Sequence, residues 1–133
     1  MIAGCCLRIM CDNLKFNICD LPRSEWSTDR TQLHDRIDDF IPPHLAYACT
    51  YWATHLIAGL NLVGWNNEVC GLLERFATCH LLNWLEALSI IGRVATAFTS
   101  LETTHAAMVC HISCLCYSTA FIDPQRLGCK FAP

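Results

Sequence analysis

Apolar residues recur at intervals of three and four positions along much of the chain, which is the spacing of one face of an α-helix. The clearest stretches are residues 5–14, 45–56, 69–76 and 81–91. Their stripes are Cys6, Leu7, Met10 and Leu14; Leu45, Ala48, Cys49, Trp52 and Leu56; Val69, Leu72, Leu73 and Phe76; and Leu81, Leu82, Trp84, Leu85, Leu88 and Ile91. This pattern predicts an all-α fold of stacked amphipathic helices, as in a helical linker or a partial helical-repeat domain.

Prolines, glycines and an asparagine mark the predicted ends of these helices. Pro42 and Pro43 stop the preceding segment, and Pro43 suits the first position of the next helix because its fixed φ is already helical. Gly59 is a natural end for that helix. Asn66 suits the N-cap of the third helix, and Gly92 should end the fourth.

The remaining segments predict shorter elements. Residues 14–19 alternate apolar and polar residues like a short strand, but we expect a helix end that becomes extended, because Leu21 precedes a proline. Residues 94–101 predict a further short helix or turn. Residues 35–41 predict a short helix that turns one side to the core (Ile37, Phe40, Ile41) and the other to water (Asp35, Asp38, Asp39).

The composition excludes one class of function. Of the 133 residues, 53% are hydrophobic and 16% are charged, against roughly 45–50% and about 25% in ordinary globular domains. Either the helices bury much of this apolar surface, or part of it is covered by a partner. The net charge of −3 leaves no basic field to neutralise phosphates, so we predict that the chain does not bind nucleic acid.

Eleven cysteines would suit a disulfide scaffold in a small secreted protein. The count is odd, however, and residues 1–8 lack the basic end and long apolar stretch of a signal peptide. We therefore expect a cytoplasmic protein in which most cysteines are small buried hydrophobes.

Two uncharged stretches, residues 45–67 and 106–122, approach the length of a membrane span. The first contains histidine, asparagines, threonines and glycines, so burial inside protein is the better interpretation. The second has few polar breaks. A small membrane-associated protein that uses residues 106–122 is therefore the alternative to a cytoplasmic one.

Four phrases carry a resemblance to a known family. They are CLRIM at residues 6–10, LKFNICDLPRS at residues 14–24, IPPHLAYACTYWATHL at residues 41–56 and LLNWLEALSIIGRV at residues 81–94. In order and spacing, residues 3–94 resemble the helical segment that fungal NACHT/WD-repeat proteins of the STAND class, which are similar to NLR receptors, carry between their NACHT NTPase domain and their WD repeats.

The resemblance implies a non-enzymatic interaction or linker module that couples a nucleotide switch to a WD-repeat sensor. Its expected partners are proteins, such as NACHT or WD-repeat domains of related chains. On the basis of this resemblance over residues 3–94, we take residues 1–101 as one NACHT-associated helical domain and residues 102–133 as a divergent tail that does not follow the family pattern. We expect a gene fragment or truncated paralogue whose tail is vestigial or mispredicted; the alternative is a tail that completes the core.

Residues 59–64 have the glycine spacing of a phosphate-binding loop, but Trp65 and Asn66 stand where the lysine and the hydroxyl residue must follow. Without them nothing binds the terminal phosphate or magnesium, and a turn between helices explains the glycines.

The other candidate metal-binding and catalytic residues are better explained by packing or by a position at the surface. Cys110, His111, Cys114 and Cys116 could hold zinc, but the chain has no Cys-x-x-Cys pair. The adjacent Cys79 and His80 do not share a helix face. Eleven cysteines and six histidines supply accidental nucleophile pairs without a flanking signature. The predicted acidic helix face at residues 35–39 needs no catalytic role. We therefore predict no catalytic, cofactor-binding or metal-binding residues, and place a cysteine–metal module third among the functions.

The missing phosphate-loop lysine predicts that the purified protein neither binds nor hydrolyses ATP or GTP. Isothermal titration calorimetry and phosphate release, with an authentic P-loop NTPase as the positive control, measure both properties. Saturable nucleotide binding at micromolar affinity would contradict this prediction.

Overall fold

A computed structural model describes the backbone of residues 1–21 and 36–122, and the side chains of these residues except 63 and 114–122. Every regular element in this part of the chain is helical, which confirms the predicted all-α fold. The helices are α1 (Ile2–Asn13), α2 (Pro43–Val63), α3 (Asn67–Arg75), α4 (Leu81–Ile90) and α5 (Ala95–Ile122). A π-helical turn, Phe76–His80, joins α3 to α4, and residues 36–40 form a short helical stretch.

Helix α2 lies at the centre of the fold, where it contacts α1, α4 and α5. The predicted stripes supply most of the buried core. From α1 and the residue after it come Cys6, Leu7, Met10 and Leu14, and from α2 come Leu45, Ala48, Cys49, Trp52 and Leu56. Burying one large apolar side chain contributes about 1.5–3 kcal/mol. The face of α1 against α2 is therefore a main source of stability.

The predicted helix ends are confirmed at three of the four positions. The Asn66 side chain accepts a hydrogen bond from the Val69 N–H at 2.8 Å, as an N-cap should. Pro43 occupies the first turn of α2, and Gly92, with φ of 71°, follows the end of α4. The predicted end at Gly59 is wrong, because α2 continues to Val63.

The structure gives Gly59 a different role. A Cβ atom at this position would lie 2.1 Å from the Met1 Sδ atom, so the glycine lets the N-terminus pack closely on α2. Gly64 ends the helix instead, with φ of 72°, a left-handed conformation that glycine adopts without steric cost.

Residues 14–19 do not form a strand. Leu14 is extended after the end of α1, with φ of −73° and ψ of 128°, as expected, but residues 16–19 form a turn. Asn17 takes a left-handed φ of 52°, which asparagine tolerates better than most residues. Its side chain accepts a hydrogen bond from the Leu21 N–H at 2.9 Å and donates one to the Leu21 carbonyl at 3.1 Å. Its own N–H donates to Glu86 on α4 at 3.1 Å. These bonds turn the chain back, so local side-chain bonding replaces the predicted extension.

Two residues predicted to face the core do not. Leu82 is 78% exposed, while Trp84 and Leu88 on the same helix are fully buried. Phe40 is 39% exposed and lies 6.0 Å from the Lys15 ammonium group, a long cation–π distance.

The short helix predicted at residues 94–101 is the start of a much longer one. Helix α5 runs from Ala95 to Ile122, so the predicted boundary between residues 101 and 102 falls inside a continuous helix. Thr104 is buried, which places residues beyond that boundary against the rest of the fold. Whether the tail is vestigial stays a prediction.

Trp84 is fully buried, so Trp84→Ala should destabilise the protein by about 3–5 kcal/mol through the large cavity it leaves. Thermal or urea unfolding followed by circular dichroism measures this loss. Leu82→Ala on the exposed side of the same helix is the matched control, and it should change the free energy of unfolding by less than about 0.5 kcal/mol. Equal melting of the two variants would contradict the packing.

Candidate functional site

An apolar cleft of about 560 Å³ opens between α2, α3, the π-helical turn and α5. Its buried residues are Trp52, Leu73, Phe76 and Thr104, which form the floor, and residues at the surface form its walls. Such a volume lies within the roughly 300–1,000 Å³ typical of small-molecule pockets. We refer to this feature below as the apolar cleft.

The floor of the apolar cleft is held by three packed aromatic rings. The Trp52 ring centroid lies 5.1 Å from that of Phe76 and 5.9 Å from that of Trp84, and Phe76 lies 5.6 Å from Trp84. Two of these pairs meet edge to face, an arrangement favoured by the ring quadrupoles. The Trp84 indole N–H donates to the Cys49 carbonyl at 2.9 Å. Trp52, Phe76 and Trp84 therefore form one buried aromatic cluster.

Two residues of the cleft floor each carry a buried polar atom that has no hydrogen-bond partner among the described residues. These atoms are Trp52 Nε1 and the Thr104 hydroxyl oxygen. Most buried polar groups in folded proteins are paired, because an unpaired one loses its bonds to water without replacement. Trp84, by contrast, has its indole N–H paired. The two unpaired groups therefore distinguish this floor from the rest of the core.

The walls of the apolar cleft come from α3, the π-helical turn and α5. The π-helical turn supplies Ala77 and Thr78 to these walls, and α5 supplies Leu101 and Met108. Trp65 adds an aromatic surface, and its ring stacks on His111 with centroids 5.2 Å apart. The other wall side chains are Cys70, Glu74, Leu81 and His105. Glu74 is the acidic residue among them.

Between residues 95 and 113, where its side chains are described, helix α5 carries small residues toward the core and large apolar residues toward solvent. Ala97, Ser100 and Thr104 are buried. On a neighbouring face Phe98 is 74% exposed and Ile112 is 57% exposed. We define the outer stripe as five exposed residues that follow one another at intervals of three and four: Phe98, Leu101, His105, Met108 and Ile112. This is the spacing of a helix face that packs against another helix.

The structure describes the side chains of two of the four residues considered as zinc ligands, Cys110 and His111. Cys110 is exposed, and His111 stacks on Trp65; the side chains of Cys114 and Cys116 lie outside the described residues. Within residues 1–21 and 36–122, no three His, Cys, Asp or Glu side chains are grouped closely enough to hold a metal ion.

The other weighed motifs have structural explanations. Residues 59–63 belong to α2, so the apparent phosphate loop is mostly helix. Asp38 and Asp39 are exposed, whereas Arg36 donates to the Cys19 carbonyl at 3.1 Å and to the Asp20 carbonyl at 2.5 Å. Asp35 lies outside the described residues.

Among the eight cysteines with described side chains, all of which are free thiols, four are buried: Cys6, Cys11, Cys19 and Cys49. The expectation that most are buried thus holds for half of them. Burial raises the pKa of all four thiols, because a thiolate loses its hydration there, and it raises the pKa of Cys49 to about 12. High-pKa thiols are poor nucleophiles. These cysteines are therefore packing residues.

No protein-family model, curated protein or solved structure matches this chain. The resemblance to fungal NACHT/WD-repeat proteins therefore stays a prediction. In the part of the chain that the structure describes, no helix is both long enough and apolar enough to cross a membrane.

The raised pKa of Cys49 predicts a specific loss of stability in alkaline solution. The thiol is neutral in the folded protein up to about pH 12, whereas in the unfolded chain it ionises near its ordinary pKa of 9.0. Its contribution is thus complete below about pH 9 and is lost as pH rises toward 12. The free energy of unfolding in urea should fall more steeply between about pH 9 and 11 in the wild type than in Cys49→Ala. Equal pH dependence of the free energy of unfolding in the wild type and in Cys49→Ala would contradict this prediction. Cys70→Ala, at an exposed cysteine, is the control and should behave like the wild type.

Proposed function

We propose that this chain is a non-enzymatic helical interaction module whose outer stripe on α5 docks an apolar helix of a partner protein. The proposal rests on the inverted arrangement of α5, in which the largest apolar side chains, such as Phe98, face solvent. Isolated soluble domains rarely leave a contiguous apolar face uncovered, and such faces mark interaction sites.

The spacing within the outer stripe supports a helical partner. Intervals of three and four residues keep one face of α5 directed at a second helix. Side chains of that second helix can insert into the holes between the stripe residues of α5. Phe98 and Ile112 stand at the two ends of this face, so a partner helix would follow α5 for about four turns. His105 lies in the middle and is the one polar residue of the stripe.

The family resemblance covers residues 3–94, which precede the outer stripe in the chain, and it suggests which partner to test. In fungal NACHT/WD-repeat proteins the similar segment joins the NACHT domain to the WD repeats. We propose that this chain docks on such a domain in the cytosol and relays contact between a nucleotide switch and a sensor. The sequence segment at residues 81–94 is the main basis for expecting such a partner.

Phe98→Asp should weaken binding of the full chain to a purified NACHT or WD-repeat domain from this fungal class by at least about tenfold, because it puts a charge into the docking face. Isothermal titration calorimetry measures the affinity. Phe16→Asp is the matched control, since Phe16 is 76% exposed and lies far along the chain from α5. This control should bind like the wild type.

Three outcomes would overturn the proposal. The first is that neither domain binds the wild type, or that both aspartate variants bind equally well. The second is a homodimer in sedimentation that Phe98→Asp dissociates, which would make a second copy of the chain the partner. The third is flotation of the wild type with lipid vesicles, abolished by Phe98→Asp, which would make the stripe a membrane-binding surface.

A further inference from the structure

The floor of the apolar cleft holds two hydrogen-bonding groups that the described protein leaves unused. In a helix, a threonine hydroxyl commonly bonds the carbonyl four residues earlier. Thr103 does so with Thr99 at 2.8 Å, yet its neighbour Thr104, 5% exposed, makes no such bond. Trp52, 1% exposed, likewise leaves its indole nitrogen unpaired.

The chemistry of these two groups restricts what could satisfy them. A tryptophan indole N–H only donates a hydrogen bond, whereas a threonine hydroxyl can donate or accept. A carbonyl or ether oxygen suits both. Thr104 has two accessible χ1 positions in a helix, so its hydroxyl can turn toward an occupant of the cleft.

The walls restrict the rest of the occupant. Three aromatic side chains line the apolar cleft, Trp52, Trp65 and Phe76, and they offer flat surfaces to a ring. Glu74 supplies a carboxylate at the wall and disfavours an anion. The wall also includes part of the π-helical turn, and such turns occur frequently at functional sites.

We propose that the apolar cleft is a binding site for an uncharged, ring-containing small molecule that places a carbonyl or ether oxygen against Thr104 and Trp52. This proposal does not rest on the partner-docking function of the outer stripe, although Leu101, His105 and Met108 border both places. A buried hydroxyl without a partner lowers the stability of the ligand-free protein, and a ligand that bonds this hydroxyl would remove that cost.

The uncharged naphthyl ketone prodan is a suitable probe, and its fluorescence reports entry into an apolar site. Ethylnaphthalene, which has the same ring system but no oxygen, is the matched ligand and is followed by quenching of tryptophan fluorescence. The full chain should bind both saturably. Ala77→Phe, which fills the cleft from the π-helical turn, should abolish binding of both. Phe16→Asp, at an exposed residue that does not line the cleft, should leave both unchanged.

Thr104→Val is the decisive variant, because it removes the hydroxyl with little change of shape. It should weaken prodan binding about fivefold, as expected for one lost hydrogen bond, while ethylnaphthalene affinity stays the same. It should also raise the melting temperature of the ligand-free protein. Thr103→Val, at the neighbouring exposed position, is the control and should leave prodan affinity unchanged.

Several results would overturn the proposal. One is the absence of saturable prodan binding, and another is equal prodan affinity in Thr104→Val and Thr103→Val. A third is binding of prodan only after Leu127→Ser or Phe131→Ser is introduced into the full chain. That result would show that the C-terminal segment of the chain itself occupies the cleft.

Discussion

The contact between the Trp84 indole and the Cys49 carbonyl fixes the register on which the rest of the fold depends. It joins α4 to the central helix α2 through a buried hydrogen bond of 2.9 Å. The rings of Trp52 and Phe76 pack around it, so α2, the π-helical turn and α4 meet at one point. A buried indole that lost its acceptor would leave a donor without water or protein to bond. The cluster therefore allows one relative placement of these elements.

Much of the helical part of the fold could be predicted from the sequence, because it depends on local signals. The stripe of α1, the N-cap at Asn66 and the burial of Trp84 follow from spacing and side-chain chemistry alone. The end of α2 could not be predicted in this way. Glycine often ends a helix, so the sequence suggests an end at Gly59. The glycine is instead required by a tertiary contact, because the Met1 side chain packs against it.

The spacing of core-facing residues in the sequence also indicates the π-helical turn. From Phe76 to the next core-facing residue, Leu81, the interval is five, whereas an α-helix repeats its face every three or four. A π-helical turn absorbs the extra residue and keeps the stripes of α3 and α4 on one side. Similarly, the outer stripe on α5 was visible as regular intervals from Phe98 to Ile112. The apolar cleft left no such signal, because its floor is assembled from residues of several elements that are distant in the sequence.

Leu101, His105 and Met108 belong to both the outer stripe and the wall of the apolar cleft. A side chain cannot adopt one position for a cleft occupant and another for a surface partner at the same time. Binding at the two proposed places would therefore be thermodynamically linked through these three residues. Such linkage is reciprocal, because the factor by which one binding event changes the affinity of the other applies equally in reverse. On this helix a core-facing wall and a solvent-facing surface thus form a single coupled element.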